Sequence, residues 1–516
     1  MARTHAHPGL AVGGTARPSG VAGRAWAHVL ADRRLGAVVA AAVALGSGFL
    51  SDAFAARGPI TPLQGIAVMG LAFAIGVIGG ALARSRWILP VLGVCYIVGV
   101  ELGRTGVPAA SLAIRLDNPY GVIAFMLARG LHGLLVLLPL IFGVLLGIRI
   151  VSGPGRGRPI GAAVFGVVSL GLAMLVVWPG STPPVTGPDG RPIVGSIAEL
   201  ARIPVGGTEQ TVMIRAASPD RPVILYLAGG PGQSDLALAR AQVSRWEQDF
   251  VFAALDQRGN GTSYSAIDPT SSLTLDRAVS DVIEVTDYLR TRFDEPKVYL
   301  VGESWGTILG VLAVQRRPDL YYAWIGSGQM VDVLETDKRV YEDLVAYAQR
   351  AGDQGLLTDL QAVGEPPYRD IPWANSNLLA WYEHLYADYT PSEGYLRRGE
   401  GSGLDNFGIL GSEYSFLDKA NVLRGLIDTF ALMYPQLYTV DLRERARDLD
   451  VPVYVLDGAA ELQGRRDIAL EWFDQLDAPA KTLVTYDNAA HATAFEQGDD
   501  VQRLLNEVII PATYRN

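Results

Sequence analysis

The sequence predicts two structural classes in one chain. About five apolar, membrane-type helices come first, and an α/β domain on a mostly parallel sheet with helices on both faces follows. Three observations carry this. Long uncharged apolar runs fall almost entirely before residue 180, and strand-like and helix-like segments alternate after about residue 195. The apolar strand Val298–Val301 then leads into Gly302-Glu303-Ser304-Trp305-Gly306, with a helix-like stretch, Ile308 to Gln315, behind it.

The apolar runs are Leu35–Leu50, Leu63–Ala83, Trp87–Leu102, Leu131–Ile148 and Ile160–Trp178. Roughly 20 apolar residues cross the hydrocarbon core, so the second and fifth are comfortable spans. The first and third need flanking residues, and Arg129 and His132 blur the entry to the fourth. Arginines set the orientation. Arg3, Arg17, Arg24, Arg33, Arg34, Arg84, Arg86, Arg149, Arg156 and Arg158 lie on one set of loops, and only Arg57, Arg104 and Arg115 on the other. Ten against three predicts a cytoplasmic N-terminus and, after five spans, an exterior C-terminal domain. Four further apolar runs and a long polar start argue against a cleaved signal peptide. Gly76/Gly80 and Gly143/Gly147 have helix-packing spacing, although a chain with 58 glycines produces such pairs by chance.

Linear boundaries follow: a disordered cytoplasmic start at 1–34, a membrane region at 35–178, a Pro/Gly/Thr-rich linker at 179–194, and a sheet domain at 195–328 and 448–516. That domain is interrupted by a helical, Tyr- and Trp-rich insertion at 329–447. Strands are expected at Thr211–Ala216, Val223–Leu227, Phe250–Leu255, Lys297–Val301, Tyr322–Gly326, Val451–Leu456 and Lys481–Tyr486. Strands spaced by helices indicate a parallel sheet. The insertion covers the sheet edge, where ligands bind in such folds. The lone cysteine, Cys95, forms no intramolecular disulfide, and a net charge of −10 gives no reason to expect nucleic acid. His5 and His7 sit in the disordered start and make no metal site.

Gly-x-Ser-x-Gly between a strand and a helix is the form of a nucleophile elbow, a turn so tight that the serine's neighbours must be small. Ser304 is therefore the candidate nucleophile. Only His384 and His491 follow the membrane region. His491 lies in a short loop after the last strand and is the favoured base, while His384 reads as a partly buried residue of the insertion. The acid should follow the penultimate strand. Asp457 and Glu461 both qualify, and Glu461, with more room to reach the histidine, is favoured. The glycine loop Gly229-Gly230-Pro231-Gly232 can bring a backbone N–H to a developing oxyanion, with Gly230 and the amide of Trp305 as donors.

The Gly229–Gly232 loop, Asp256-Gln257-Arg258-Gly259-Asn260-Gly261-Thr262-Ser263 and Gly302–Gly306 occur in that order. Together they resemble the proline iminopeptidase and tripeptidyl aminopeptidase branch of the α/β-hydrolases over about residues 195–510. The resemblance implies a cap domain, a Ser-acid-His triad and hydrolysis at peptide N-termini. Ala228 stands where histidine is usual and Glu461 where aspartate is usual, so strict proline specificity does not carry over. Acidic cap residues hold the substrate amine in that branch; Glu383, Glu393 and Glu413 are candidates. Trp373, Trp381, Tyr382, Tyr386 and Tyr389 are expected chiefly as the cap's own core. Asp256 and Arg258 are expected to pair and brace their loop.

The expected activity is that of a membrane-anchored serine aminopeptidase on short peptides, with no metal or cofactor and with the lipid bilayer as its other partner. An esterase or amidase on small or lipid-derived acyl substrates uses the same chemistry. A sensor or transporter with an inactive hydrolase-like module is the reading of a different class. Glu101, at a span end, is weak support for transport.

Overall fold

The computed structural model describes residues 32–152, 160–386, 388–398 and 408–514. The expectations for the first 31 residues and for Arg156 and Arg158 lie outside the described residues. Five apolar helices open the described chain: α1 (Arg33–Ala55), α2 (Pro62–Ala83), α3 (Ile88–Gly103), α4 (Pro119–Ser152) and α5 (Ile160–Val177). All but α3 are long and apolar enough to cross a membrane. Helix α4 has 34 residues. At 1.5 Å per residue it is about 51 Å long, roughly 20 Å more than a hydrocarbon core needs. A π turn at Met126–Leu131 interrupts it.

Two compact units divide these elements. One holds the chain up to Ala56 with Ala67–Thr105 and Leu134–Gly171. In it, the two glycine pairs noted in the sequence face each other across α2 and α4. A Cβ on Gly76 would lie 2.4 Å from Leu140 O, and one on Gly147 would lie 2.2 Å from Val77 O. No side chain fits at either place, so the spacing here reflects close backbone contact.

The second unit holds Leu172–Asn516 together with Arg57–Ile66 and Gly106–Gly133. The linear partition misses this, because both short segments lie among apolar helices in sequence. The stretch after Trp178 is no free linker either: Ser181 N–H donates to Ser412 O (2.8 Å), and Arg215 donates to Thr182 Oγ1 and Pro183 O (2.6 Å each). Its prolines and glycines signal irregular backbone, which polar side chains then pin.

An eight-stranded sheet forms the core of this unit: β1 (Ile197–Val205), β2 (Thr208–Ala216), β3 (Val223–Leu227), β4 (Val251–Asp256), β5 (Val298–Glu303), β6 (Tyr321–Ser327), β7 (Val453–Gly458) and β8 (Lys481–Tyr486). Spatial order is β1-β2-β4-β3-β5-β6-β7-β8. Strand β2 runs antiparallel to both β1 and β4, and the remaining pairs are parallel. This is the α/β-hydrolase arrangement. Seven strands match the expected runs, and β1 is additional.

Helices of this unit include α6 (Leu275–Phe293), α7 (Trp305–Arg316), α8 (Val333–Ala351), α9 (Trp373–Trp381), α10 (Phe416–Leu437) and α11 (Gln463–Gln475). The stripe Val279, Val282, Val285 and Leu289 seats α6 on the core, as its spacing predicts. Helices α8 to α10 arise within the insertion between β6 and β7. Ser415 and Asp418 close a capping box at the start of α10.

Candidate active site

Ser304 joins β5 to α7 with φ 52° and ψ −120°. A residue with a Cβ is strained there by about 1–3 kcal/mol, and surrounding contacts must hold it. A Cβ on Gly302 would lie 2.5 Å from the Trp324 ring, and one on Gly306 2.3 Å from Leu227 O. Both flanks must therefore be glycine. Ser304 N–H donates to Ser327 O (3.0 Å), and Ser304 Oγ lies 3.5 Å from Met330 Sδ.

Ser304 and His491 line one cavity of about 710 Å³. Glu461 hydrogen-bonds His491 Nδ1 and also accepts from Leu462 N–H (2.7 Å), Tyr386 OH (2.9 Å) and Arg465 Nη1 (2.9 Å). Burial pushes the Glu461 carboxyl up, but the charge of Arg465, then of His491, outweighs it and holds the group well below the usual carboxylate range. An ionised Glu461 fixes the tautomer: Nδ1 carries the proton and donates it to Glu461. Arg465 Nη1, 3.0 Å from Nδ1, then lies beside the ring without bonding that nitrogen. Nε2 remains to accept a proton.

Asp457, the alternative acid, is otherwise engaged. Arg466 binds it through two bonds (2.9 and 2.8 Å), and Thr485 Oγ1 donates to it at 2.9 Å. His384 stacks on Tyr347, with ring centroids 4.9 Å apart. Gly230 lines the cavity with φ 116°. Trp305 supplies the first residue of α7, whose leading N–H groups have no partner in the helix's own ladder.

The motif around residue 256 works differently from the expected pair. Arg258 binds Asp281 (2.8 Å), whereas Asp256 accepts from Thr262 N–H (2.8 Å) and Thr262 Oγ1 (2.7 Å). Asp256 is fully buried without a cation, and burial raises it to about 7. Between them, Gln257 donates to Ala228 O (3.0 Å) and accepts from the Trp305 indole (2.9 Å). One side chain thus ties the start of the glycine loop to the Trp305 indole.

Two further carboxyls escaped the sequence reading. Glu496 accepts from Ala490 N–H (2.8 Å) and Ala492 N–H (3.1 Å), gripping both flanks of His491, and bonds Tyr389 OH. Glu303 is buried in the elbow itself. Burial first, then the charges of Asp235, Glu496 and Glu461, push it well above the usual range. Of the cap acids, Glu383 lines the cavity, Glu413 is buried against Arg240 (2.5 Å), and Glu393 is exposed and pairs with Arg397 (3.2 Å). Tyr382, Tyr386 and Tyr389 line the cavity. Tyr382 and Tyr386 also pack with Trp381 in the cap's hydrophobic cluster, as expected, while Trp373 packs with Ala124 and Ile427.

Several known proteins are similar to this chain. A model of the serine aminopeptidase family, S33, matches residues 241–353. The chain is 29% identical over 309 residues to the probable aminopeptidase YbaC of Bacillus subtilis, covering 58% of this chain and 93% of that protein. Among solved structures, a proline iminopeptidase-related protein from Thermus thermophilus matches with TM-score 0.42 and 20% identity, over 61% of this chain and 98% of that one. Proline iminopeptidase from Mycobacterium smegmatis matches with TM-score 0.44 and 17% identity, over the same shares.

Proposed function

We propose that this α/β-hydrolase is a membrane-anchored serine aminopeptidase that removes N-terminal residues from short peptides on the exterior face. The observation that carries the reading is that Ser304 and His491 line one cavity while Glu461 hydrogen-bonds His491 Nδ1. Ser304 Oγ attacks the carbonyl carbon and gives its proton to His491 Nε2. The amides of Gly230 and Trp305 receive the oxyanion, and ionised Glu461 stabilises the imidazolium. The C–N bond breaks as His491 protonates the leaving amine. Water, deprotonated by His491, then cleaves the ester and frees Ser304.

Two things favour a substrate with a free amine. The similar Bacillus protein and the matching family model are both described as aminopeptidases. Glu383 and Glu496 line the cavity, and Arg465 is the one Arg or Lys among its described lining residues.

The membrane topology has support of its own. Arg57–Ile66 follows α1 and Gly106–Gly133 follows α3, yet both belong to the unit that follows α5. Segments after the first, third and fifth helices share a side only if α2 with α3, and α4 with α5, each cross and return. This supports counting the short α3 as a span, and the arginine bias favours an exterior position for the shared side.

The test uses the whole chain in detergent, because the hydrolase unit contains residues before α5. Aminoacyl-naphthylamides, their N-acetylated forms and a p-nitrophenyl ester are compared, with Ser304→Ala alongside. Cleavage restricted to free amines and lost in Ser304→Ala is expected. Ester turnover indifferent to the amine would replace the reading with an esterase, and silence on all three with a binding module.

A further inference from the structure

Nothing in the reaction explains why residues between two apolar helices belong to the hydrolase unit. Paired polar groups hold them there. Asp428 on α10 is 1% exposed and accepts from Ser111 N–H (2.7 Å), Ser111 Oγ (2.6 Å) and Tyr264 OH. Arg424, fully buried one turn earlier, donates to Pro59 O (3.0 Å) and Leu127 O (3.2 Å). Asn421 donates to Ile60 O (2.8 Å). Leaving any one of these buried groups unpaired costs about 1–3 kcal/mol, so they define a single arrangement.

That arrangement delivers one side chain to the catalytic cavity. Buried Asn118 caps α4 by accepting from Tyr120 N–H (3.0 Å), and it is itself held by Trp373 O (3.2 Å) and Ser376 Oγ (2.9 Å). Tyr120 packs on the cluster of Ala124, Trp373 and Ile427. It also lines the cavity that holds Ser304 and His491, with Leu379, Leu426 and Phe430 as apolar neighbours in the lining. A ring on a capped helix end, with its support buried, is a fixed wall.

We propose that Tyr120 is a specificity-determining residue of this hydrolase, closing one wall of the pocket for the substrate's acyl group and limiting its size. This rests on the serine-hydrolase reading and on no particular leaving group. The first turn of α4 is then part of the enzyme as well as of its anchor.

The test reads the rate at which fluorophosphonates of graded bulk label Ser304 in the whole chain, as the ratio of a bulky aryl probe to a small alkyl one. Tyr120→Ala should raise that ratio at least tenfold and Tyr120→Trp should lower it. Tyr120→Phe, which keeps the ring, should restore the wild-type value. Ratios within twofold of wild type in both the alanine and tryptophan variants would overturn the proposal. So would loss of all labelling in the alanine, tryptophan and phenylalanine variants alike, which marks a residue needed for folding. The probes are not peptides, so failure of the aminopeptidase reading shows separately, as normal labelling of a wild-type chain that cleaves no aminoacyl-naphthylamide.

Discussion

Replacing Glu461 by glutamine removes one charge and leaves the shape of the side chain almost unchanged. Before the proton is transferred there is no imidazolium for the carboxylate to stabilise, so the ground state loses little. In the transition state the imidazolium lies about 4 Å from the carboxylate, and at an effective dielectric of about 20 that attraction is worth about 4 kcal/mol. The expected loss in kcat is on the order of 10³-fold. A second effect must be separated from it. Arg465 is buried and pairs with Glu461 at 2.9 Å, and stranding a buried cation costs about 3–5 kcal/mol of stability. Because Glu461 is held below its ordinary range, the pair's contribution is fully present above the unfolded carboxylate value and is lost only as pH falls through the folded one. Glu461→Gln should therefore melt lower at neutral pH, and kcat should be measured well below that melt on enzyme titrated for active Ser304. Glu461→Asp keeps the charge and should recover most of the stability. Asp457→Asn, whose carboxylate is occupied by Arg466 and Thr485, should stay within tenfold of wild type. A folded Glu461→Gln within tenfold of wild type, beside an inactive Asp457→Asn, would refute this assignment.

Three more outcomes are expected. Glu496→Ala frees both flanks of His491 and removes a cavity carboxylate, and should lower kcat/KM on the same amide substrates. Asp337 is buried between Tyr434 OH (2.9 Å) and Tyr438 OH (3.1 Å), and burial raises it to about 7. The native state keeps a proton between about pH 4 and 7 that the unfolded chain releases, so stability falls as pH rises across that window, by roughly 4 kcal/mol at most; Asp337→Asn should melt well above wild type at pH 8, by a smaller margin at pH 5, and level with it only below about pH 4. Gly306→Ala places a Cβ 2.3 Å from Leu227 O, and should remove both fluorophosphonate labelling and the native melting transition.

The strands and the elbow were legible because their signals are local: an apolar β-branched run, or two glycines around one serine. Strand β1 was missed because an edge strand carrying Glu199 and Arg202 shows no apolar alternation, although Gly206-Gly207 after it is a hairpin signal. Glu461 was the preferred acid on reach alone; what occupies Asp457 depends on Arg466 in the first turn of α11 and on Thr485 in a neighbouring strand. Gln257 lay inside a quoted motif, but its task joins two loops and no spacing reveals it. The Asp256–Arg258 pair failed for a related reason: Asp281 on α6 competes for the arginine. Glu496 and Tyr120 reach the cavity from far ends of the chain, and only the folded contacts assign them to it.

The bonds from Asp428 to Ser111 and from Asn421 to Ile60 span 317 and 361 residues of sequence. At about 5–20 residues per second of synthesis, the early partner emerges roughly 15–70 s before the late one. The loops after α1 and α3 are thus made first and satisfied last, with water holding their polar groups in the interval. Biogenesis has a fixed order as a result. A ribosome stalled before Asp428 leaves a chain that has its apolar helices but not the helix those loops are shaped to receive.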